Sequence, residues 1–208
     1  MPLTVVDHPL VRHKLSILRS RETDTMTFRR LVAELAALLT YEATRDLDLE
    51  SVEVETPLER TTQAKVSGKK LAVVPIFRAG LGMLDAVVDL IPVARVGFVG
   101  LYRNEESLEP VEYYAKFPAD LRERDVLLLD PMLATGGSAS FACTKIKERG
   151  ARRITAVFLV AAPEGVACME AAHPDVQIVV AALDRQLNDV GYILPGLGDA
   201  GDRLFGTR

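Results

Sequence analysis

The chain has 208 residues, of which 49% are hydrophobic and 26% charged, a size and composition suited to one globular α/β domain with additions. Its formal net charge of −4 and its pI near 5.5 argue against non-specific binding to nucleic acid or to membrane surfaces, because both favour a basic protein surface. The two cysteines have no C-x-x-C spacing, so they define no disulfide framework or zinc site. The sequence has no signal-peptide core and no apolar run long enough to span a bilayer, so we expect a cytoplasmic protein.

The first third of the chain is predicted to contain two helices and an extended arm. Residues 8–20, HPLVRHKLSILRS, have the pattern of a short amphipathic helix. Apolar residues at spacings of three and four predict a longer helix from Asp24 to about Asp46, with Thr27 or Asp24 as its N-cap. The alternating segment 52–66, rich in Thr and Val, predicts an extended arm or hairpin outside the core.

The rest of the chain alternates short apolar runs with helical segments. Strands are expected at LAVVPIF from Leu71, ARVGFVGLY from Ala94, DVLLLD from Asp125, RITAVFLVAA from Arg153 and VQIVVAAL from Val176. Helices are expected at MLDAVVDLI, after PMLATGGS to near Gly150, and at PEGVACMEAAH. Continuous apolar strands between helices predict a parallel sheet with both faces covered. The polar stretch RNEESLEPVEYYAKFPADLRER, from Arg103, is expected to form a hairpin over one end of that sheet.

The segment DPMLATGGS, residues 130–138, has the features of a phosphate-binding loop. It follows an apolar strand and opens a helix, so the backbone N–H groups from Thr135 to Ser138 face an anion at a helix N-terminus. Two glycines allow close approach to the backbone. A Thr-Gly-Gly-Ser turn can also begin an ordinary helix. Here, however, Asp130 lies at the strand tip just before the turn, and an acid at that position favours a binding role because it needs a ligand, a metal or water to interact with. The loop is not a Walker loop, because the chain has no G-x-x-x-x-G-K-[ST].

Two arginines follow neighbouring predicted strands, where ligands of open parallel sheets bind. Arg78 lies in FRAGLG and Arg103 lies in LYRNEE. Two guanidinium groups can hold a diphosphate through forked, charge-assisted hydrogen bonds. For Arg103 an ordinary surface ion pair with Glu105 or Glu106 is an alternative.

Four motifs, FRAGLGM, LYRNEE, DPMLATGGS and GYILPGLGDAGDRLFGT, resemble in order and spacing those of the type I phosphoribosyltransferase family. Most of that family has two adjacent acids after the strand. Here Pro131 replaces the second acid and Asp130 stands alone, which resembles the uracil branch. The resemblance implies an α/β fold with a twisted parallel sheet flanked by helices, a hood hairpin and N-terminal helices. It implies pyrimidine salvage, in which uracil and 5-phosphoribosyl 1-diphosphate (PRPP) give UMP and diphosphate.

The resemblance also implies the site residues. The residues expected to act in catalysis are Asp130, Asp199 and Arg103. Those expected to bind PRPP are Arg78, Arg103, Asp130, Pro131, Met132, Leu133, Ala134, Thr135, Gly136, Gly137, Ser138 and Asp199. Those expected to bind uracil are Ile193, Gly198, Asp199 and Ala200. We expect a single domain over residues 1–208, with N-terminal helices and arm at about 1–66, a core at about 67–183 and a base-binding tail at about 184–208.

Mg²⁺ is the expected cofactor, held mainly through the substrate because a lone Asp130 offers little charge for a protein metal site. Members of the family form dimers or larger assemblies and some respond to GTP, so a homo-oligomer and a GTP effector are further expectations, with no nucleic-acid or membrane partner. Three alternatives stay open. They are transfer to another base, regulatory RNA binding on the same fold, and a dinucleotide oxidoreductase suggested by G-x-G turns such as GLGDAG at residues 196–201.

Overall fold

The computed structural model describes residues 3–68, 71–103 and 110–207. In the first of these ranges the elements are β1 (Leu3–Val5), α1 (Pro9–Arg19), α2 (Thr25–Ala43), β2 (Leu49–Glu55) and β3 (Arg60–Val66). In the second they are β4 (Leu71–Phe77), α3 (Leu81–Leu90), β5 (Arg95–Val96) and β6 (Phe98–Arg103). In the third they are β7 (Pro110–Lys116), β8 (Asp125–Leu129), β9 (Met132–Leu133), α4 (Gly137–Glu148), β10 (Ile154–Ala161), α5 (Pro163–Ala172), β11 (Gln177–Leu183), β12 (Gln186–Leu187), β13 (Ile193–Leu194) and α6 (Ala200–Phe205).

A mostly parallel sheet with the order β1-β11-β10-β8-β4-β6-β7 forms the centre of the fold. The pairs along this order are parallel except β6–β7, which is antiparallel. Its central strands β8 and β10 are buried along almost their whole length, as the continuous apolar runs predict. The hairpin predicted from Arg103 corresponds to the antiparallel pair of β6 and β7. Its tip, residues 104–109, lies outside the described residues.

Helices cover both faces of this sheet. Side chains of successive strand residues point to opposite faces, and in a continuous apolar strand both faces must therefore be shielded from water. Along β10, Val157 and Leu159 face one core cluster, and Ala156 and Phe158 face the other. The first cluster is completed by α1, α2, α3 and α6, and the second by α4 and α5. No helix of the described residues is both long and apolar enough to cross a bilayer.

The N-terminal helices and the arm agree with the predicted pattern. Asp24 is the N-cap of α2, and its Oδ1 accepts a hydrogen bond of 2.8 Å from the Thr27 N–H. That backbone hydrogen bond lowers the pKa of the Asp24 carboxyl. The arm is the antiparallel hairpin β2–β3, in which Leu49 pairs with Val66 and most side chains are exposed.

Two features of the sheet differ from the predicted strands. The strand predicted from Ala94 is split into β5 and β6, and its pairing with β4 is interrupted at Val74 and Pro75, of which Pro75 has no backbone N–H to donate. In addition, β1 pairs with the edge of β11, with Leu3 opposite Ile178. Its three residues are too few to show a strand period, so only the neighbouring strand defines them as a strand.

Candidate active site

The ends of adjacent strands place the predicted residues along one edge of the sheet. Arg78 follows β4, Arg103 ends β6 and Asp130 follows β8, and β4 pairs with both β6 and β8. Parallel strands have their carboxyl ends at the same edge, so these three positions are neighbours. The side chain of Arg103 lies outside the described part of the structure, so its predicted contact with the diphosphate stays a prediction.

The predicted phosphate loop ends in an open cup at the start of α4. Gly136 is the N-cap residue with a φ of 86°, and a Cβ there would lie 2.7 Å from the Cys168 Cβ and 2.9 Å from the Gly165 carbonyl oxygen. A Cβ on Gly137 would instead meet open space, with only the Thr135 Oγ1 nearby at 3.9 Å. The protein therefore closes the cup behind Gly136 and leaves it open in front of Gly137.

The first part of the same loop is hydrogen-bonded to the neighbouring strand. The Pro131 carbonyl accepts hydrogen bonds from the Leu159 and Val160 N–H groups at 3.0 and 3.2 Å. The Leu133 carbonyl accepts one from the Ala162 N–H at 2.9 Å. This backbone pairing leaves the loop rigid up to the cup, which is what preorganised anion binding requires.

Asp130 is the acidic group at the strand tip, and its carboxyl is partly buried. Its Oδ1 accepts a hydrogen bond of 3.1 Å from the Met132 N–H. Burial away from water raises the pKa of this carboxyl to about 7, and the Met132 hydrogen bond offsets part of that rise. Asp130 therefore changes charge in the neutral pH range, a property common in functional acids.

The side chains of Arg78 and Asp199 lie on the same side of Gly201, although they are far apart in the chain. A Cβ on Gly201 would lie 3.2 Å from the Asp199 Oδ1 and 3.9 Å from an Nη of Arg78. Asp199 is the N-cap of α6, and its Oδ1 accepts a hydrogen bond of 2.8 Å from the Asp202 N–H. Arg78 is exposed, and among the described residues its guanidinium forms no hydrogen bond or ion pair. This cation is therefore available to an anionic ligand.

The tail packs against the rest of the protein, as its apolar residues predict. Ile193 and Ala200, two of the predicted uracil contacts, are buried, whereas Gly198 is exposed with a φ of 79°. The hairpin β12–β13 approaches the phosphate loop, because a Cβ on Gly191 would lie 3.9 Å from the Thr135 methyl group. The predicted base-binding and phosphate-binding segments are thus neighbours.

Comparison with known proteins identifies the group to which this fold and site belong. The sequence model described as Uracil phosphoribosyltransferase matches residues 5–207. The chain belongs to the uracil phosphoribosyltransferase family. Relatives with that name from Streptococcus equi subsp. zooepidemicus and Streptococcus sanguinis are 60% and 59% identical over 204 and 206 residues, which are 98% and 99% of both chains.

A solved structure extends the comparison to the fold. The structure of an Aquifex aeolicus protein superposes with a TM-score of 0.93 at 40% identity, over 98% of this chain and 97% of that one. The resemblance predicted from the four motifs and the predicted fold class are therefore confirmed. The match covers the tail, so GLGDAG at 196–201 belongs to the same family domain. The helix that begins within this stretch, α6, has only six residues and is too short for the helix of a dinucleotide-binding unit.

The uracil phosphoribosyltransferase tail is held by two arginines that the sequence analysis did not single out. Arg19 of α1 forms an ion pair with Asp184 and donates to the Gly196 carbonyl. Arg203 of α6 donates to the Leu197 carbonyl at 2.8 Å and lies 4.3 Å from the centre of the Phe28 ring, on α2. Asp184 had a sequence signal, an acid directly after an apolar strand, as at Asp130. Arg19 had none, since its partners are 165 and 177 residues away.

The cysteines pack into the protein, and two of the histidines stabilise helix ends or neighbouring helices. Cys143 is fully buried in the core, and Cys168 is partly exposed and packs behind Gly136. His8 caps α1, accepting a hydrogen bond of 3.1 Å from the Leu10 N–H. His173 is buried at the end of α5, with its Nε2 2.8 Å from the Ser140 carbonyl oxygen.

Proposed function

We propose that this enzyme joins uracil to the ribose of PRPP, giving UMP and diphosphate, and that the edge described above is its active site. The observation that carries the proposal is the meeting of three groups at one sheet edge. They are the open cup in front of Gly137, the acid Asp130 and the exposed guanidinium of Arg78. Incubation with uracil, PRPP and Mg²⁺ should yield UMP, and cytosine, hypoxanthine and guanine should not replace uracil.

The cup at residues 135–138 suits the 5-phosphate of PRPP. Free N–H groups at the start of α4 and the helix dipole favour an anion there. The absence of a side chain on Gly137 lets a phosphate oxygen reach the backbone. The hydroxyls of Thr135 and Ser138 would add donors.

The other end of PRPP would lie toward Arg78. A diphosphate leaving group carries several negative charges, and a guanidinium fork binds such groups through two parallel hydrogen bonds. Arg103, at the end of β6, would add a second cation from the hood hairpin. Closure of the hood would keep water from the activated ribose.

In the proposed reaction the bond from ribose C1 to the diphosphate breaks as uracil N1 attacks, through an oxocarbenium-like transition state, and the proton of uracil N1 passes to the departing diphosphate. No residue of the chain needs to form a covalent bond, so positioning and charge carry catalysis. The carboxylate of Asp130 would accept hydrogen bonds from the ribose hydroxyls and stabilise positive charge on the sugar. Asp199, near Arg78, is proposed to act at the same ring from the tail side.

The carboxyl of Asp130 can accept a magnesium ion that binds with the substrate. Within the described ranges, no group of three or more His, Cys, Asp or Glu side chains could hold a metal by itself. Mg²⁺ accepts carboxylate and phosphate oxygens and would neutralise charge on the diphosphate as it leaves. Asp130 and Asp199 would be its nearest protein carboxylates.

Magnesium binding is therefore expected to depend on PRPP. Titration calorimetry of the free enzyme with Mg²⁺ should show no tight binding, because Asp130 lacks an acidic neighbour. The same titration with PRPP present should give a clear binding isotherm. Tight Mg²⁺ binding to the free enzyme would contradict the proposed arrangement.

The pH dependence of the reaction should report the charge of Asp130. Its pKa of about 7 makes the carboxyl neutral at lower pH and negative at higher pH. Since the proposed role needs the carboxylate, kcat/KM for PRPP should rise as the pH increases through about 7. The 5-phosphate of PRPP also titrates below neutral pH, so the profile of Asp130→Asn is the control. A rise that persists unchanged in that variant would assign the ionisation to the substrate.

Uracil would be recognised by the backbone between Ile193 and Ala200. Uracil presents an acceptor, a donor and an acceptor along one edge, which adjacent N–H and C=O groups can match. Cytosine would leave an unpaired group against the same backbone, at a cost of roughly 1–3 kcal/mol. The exposed, positive-φ backbone at Gly198 supports this, because glycine itself carries no side chain that would keep a base from the backbone.

The family resemblance adds three further expectations to the proposal. The enzyme is expected to work in the cytoplasm, to form a homodimer or higher homo-oligomer and to respond to GTP. Light scattering of the purified protein would give the oligomeric state. Initial rates with and without GTP would test the effector.

A further inference from the structure

An ion pair between the first helix and the sheet holds one peptide of the tail. Two guanidinium nitrogens of Arg19 contact the two carboxylate oxygens of Asp184, at 2.8 and 2.5 Å. The same Asp184 accepts a hydrogen bond of 3.0 Å from the Gly196 N–H. The same Arg19 donates one of 2.6 Å to the Gly196 carbonyl. Both polar groups of Gly196 are therefore bound by the two members of one ion pair.

This arrangement, the Arg19–Asp184 clamp, is well shielded from solvent. The side chain of Asp184 is 4% exposed and that of Arg19 is 20% exposed. Gly196 itself is buried and has a φ of 62°, and a Cβ there would collide with the Ile193 carbonyl oxygen. Charge-assisted hydrogen bonds in such surroundings are strong and directional.

The clamp acts on a part of the tail that lies within the proposed uracil-binding segment. Gly196 lies between the two stretches proposed to contact uracil, Ile193 on one side and Gly198 to Ala200 on the other. A peptide that turned or shifted here would change the distance between those stretches. A planar base read by backbone groups tolerates little such change, since hydrogen bonds weaken steeply with distance and angle.

We propose that Arg19 and Asp184 are positioning residues that set the geometry of the uracil-binding tail through Gly196, without touching either substrate. The phosphate cup is built from α4, β9 and α5, and the clamp contacts none of these elements. The clamp should therefore act more strongly on uracil binding than on PRPP binding, to which the tail is proposed to contribute only Asp199. This inference rests on the proposed function.

The kinetic test uses Asp184→Asn, which keeps the shape of the side chain and removes its charge. KM for uracil should rise by about tenfold, with KM for PRPP changed by less than about twofold. Arg19→Lys keeps the charge but not the fork, so its KM for uracil should lie between wild type and Arg19→Met. A parallel rise of both KM values, or no rise for uracil, would overturn the proposal.

A second ion pair serves as the matched control. Arg124 forms a forked pair with Asp120 at 3.0 and 2.9 Å, with side-chain exposures of 9% and 30%, and it lies near the amino end of β8. Asp120→Asn should leave both KM values near those of wild type. If it raised KM for uracil alone, the effect would follow from general destabilisation and the clamp would have no special role.

Hydrogen exchange measures the clamp without the reaction. The amide of Gly196 should be protected in the wild type and lose at least about tenfold of its protection in Asp184→Asn, while amides of β10 keep theirs. Unchanged protection of Gly196 would overturn the inference even if UMP is formed. If the wild type makes no UMP, the proposed function fails, while the exchange result still decides whether the clamp holds the tail.

Discussion

Asp130→Asn is expected to lower kcat at least about tenfold, equivalent to about 1.4 kcal/mol of lost transition-state stabilisation. The substitution keeps the size of the side chain and the acceptor for the Met132 N–H, but it removes the negative charge proposed to face the ribose. Steady-state rates with saturating uracil and PRPP would measure the effect. Turnover near that of wild type would show that the charge of Asp130 has no role in the reaction.

The same variant should not lose stability, which separates its effect from misfolding. Burial raises the folded-state pKa of Asp130 from 3.8 to about 7, so ionising this carboxyl works against the fold. Its stabilising contribution is complete below the unfolded pKa and is lost as the pH rises through about 7. Above that pH, Asp130→Asn without ligand should melt at the wild-type temperature or higher. A lower melting temperature there would mean that the activity loss reflects damage to the fold.

The second prediction with a large effect compares two neighbouring glycines in the phosphate cup. Gly136→Ala should destabilise the protein by about 1–3 kcal/mol, because the residue has a positive φ and its new Cβ would meet Cys168 and Gly165. Gly137→Ala should leave the stability unchanged, because its Cβ enters open space. That methyl group would stand in front of the proposed phosphate position and raise KM for PRPP by at least about tenfold.

Denaturant unfolding and saturation kinetics on the pair would check this prediction. The expected pattern is a stability defect at Gly136 and a binding defect with normal stability at Gly137. Normal PRPP kinetics in Gly137→Ala would mean that the phosphate does not sit against this peptide. A stable Gly136→Ala would show that α5 can move away from the loop.

The N-terminal helices contact the tail that is proposed to bind uracil, as well as the core. Arg19, at the end of α1, reaches the tail at Gly196, and Arg203 of the tail donates to the Ser20 carbonyl at 2.6 Å. Both contacts are made where α1 turns into α2. The base-binding tail is therefore supported from a segment that no ligand is proposed to touch.

Local patterns in the sequence were sufficient for most of the secondary structure. The buried strands β8 and β10 are continuous apolar runs, and Asp24 caps α2 at the predicted point. The geometry of the predicted phosphate loop was predictable for the same reason, because a strand, two glycines and a helix start are all set by neighbouring residues. The split of the second strand was not, since it arises opposite Val74 and Pro75 on a different strand.

The amino-acid sequence by itself determined the class of fold, the strand–loop–helix geometry at 130–138 and, through four motifs, the family. Only the tertiary structure decided that the side chains of Arg78 and Asp199 both lie beside Gly201 and that Arg19 and Asp184 clamp Gly196. The physical reason is the range of the interactions. Helix periods, caps and buried strands depend on hydrogen bonding and burial among residues a few positions apart. The contacts of the tail instead join segments that become neighbours only when the sheet brings its strand ends to one edge.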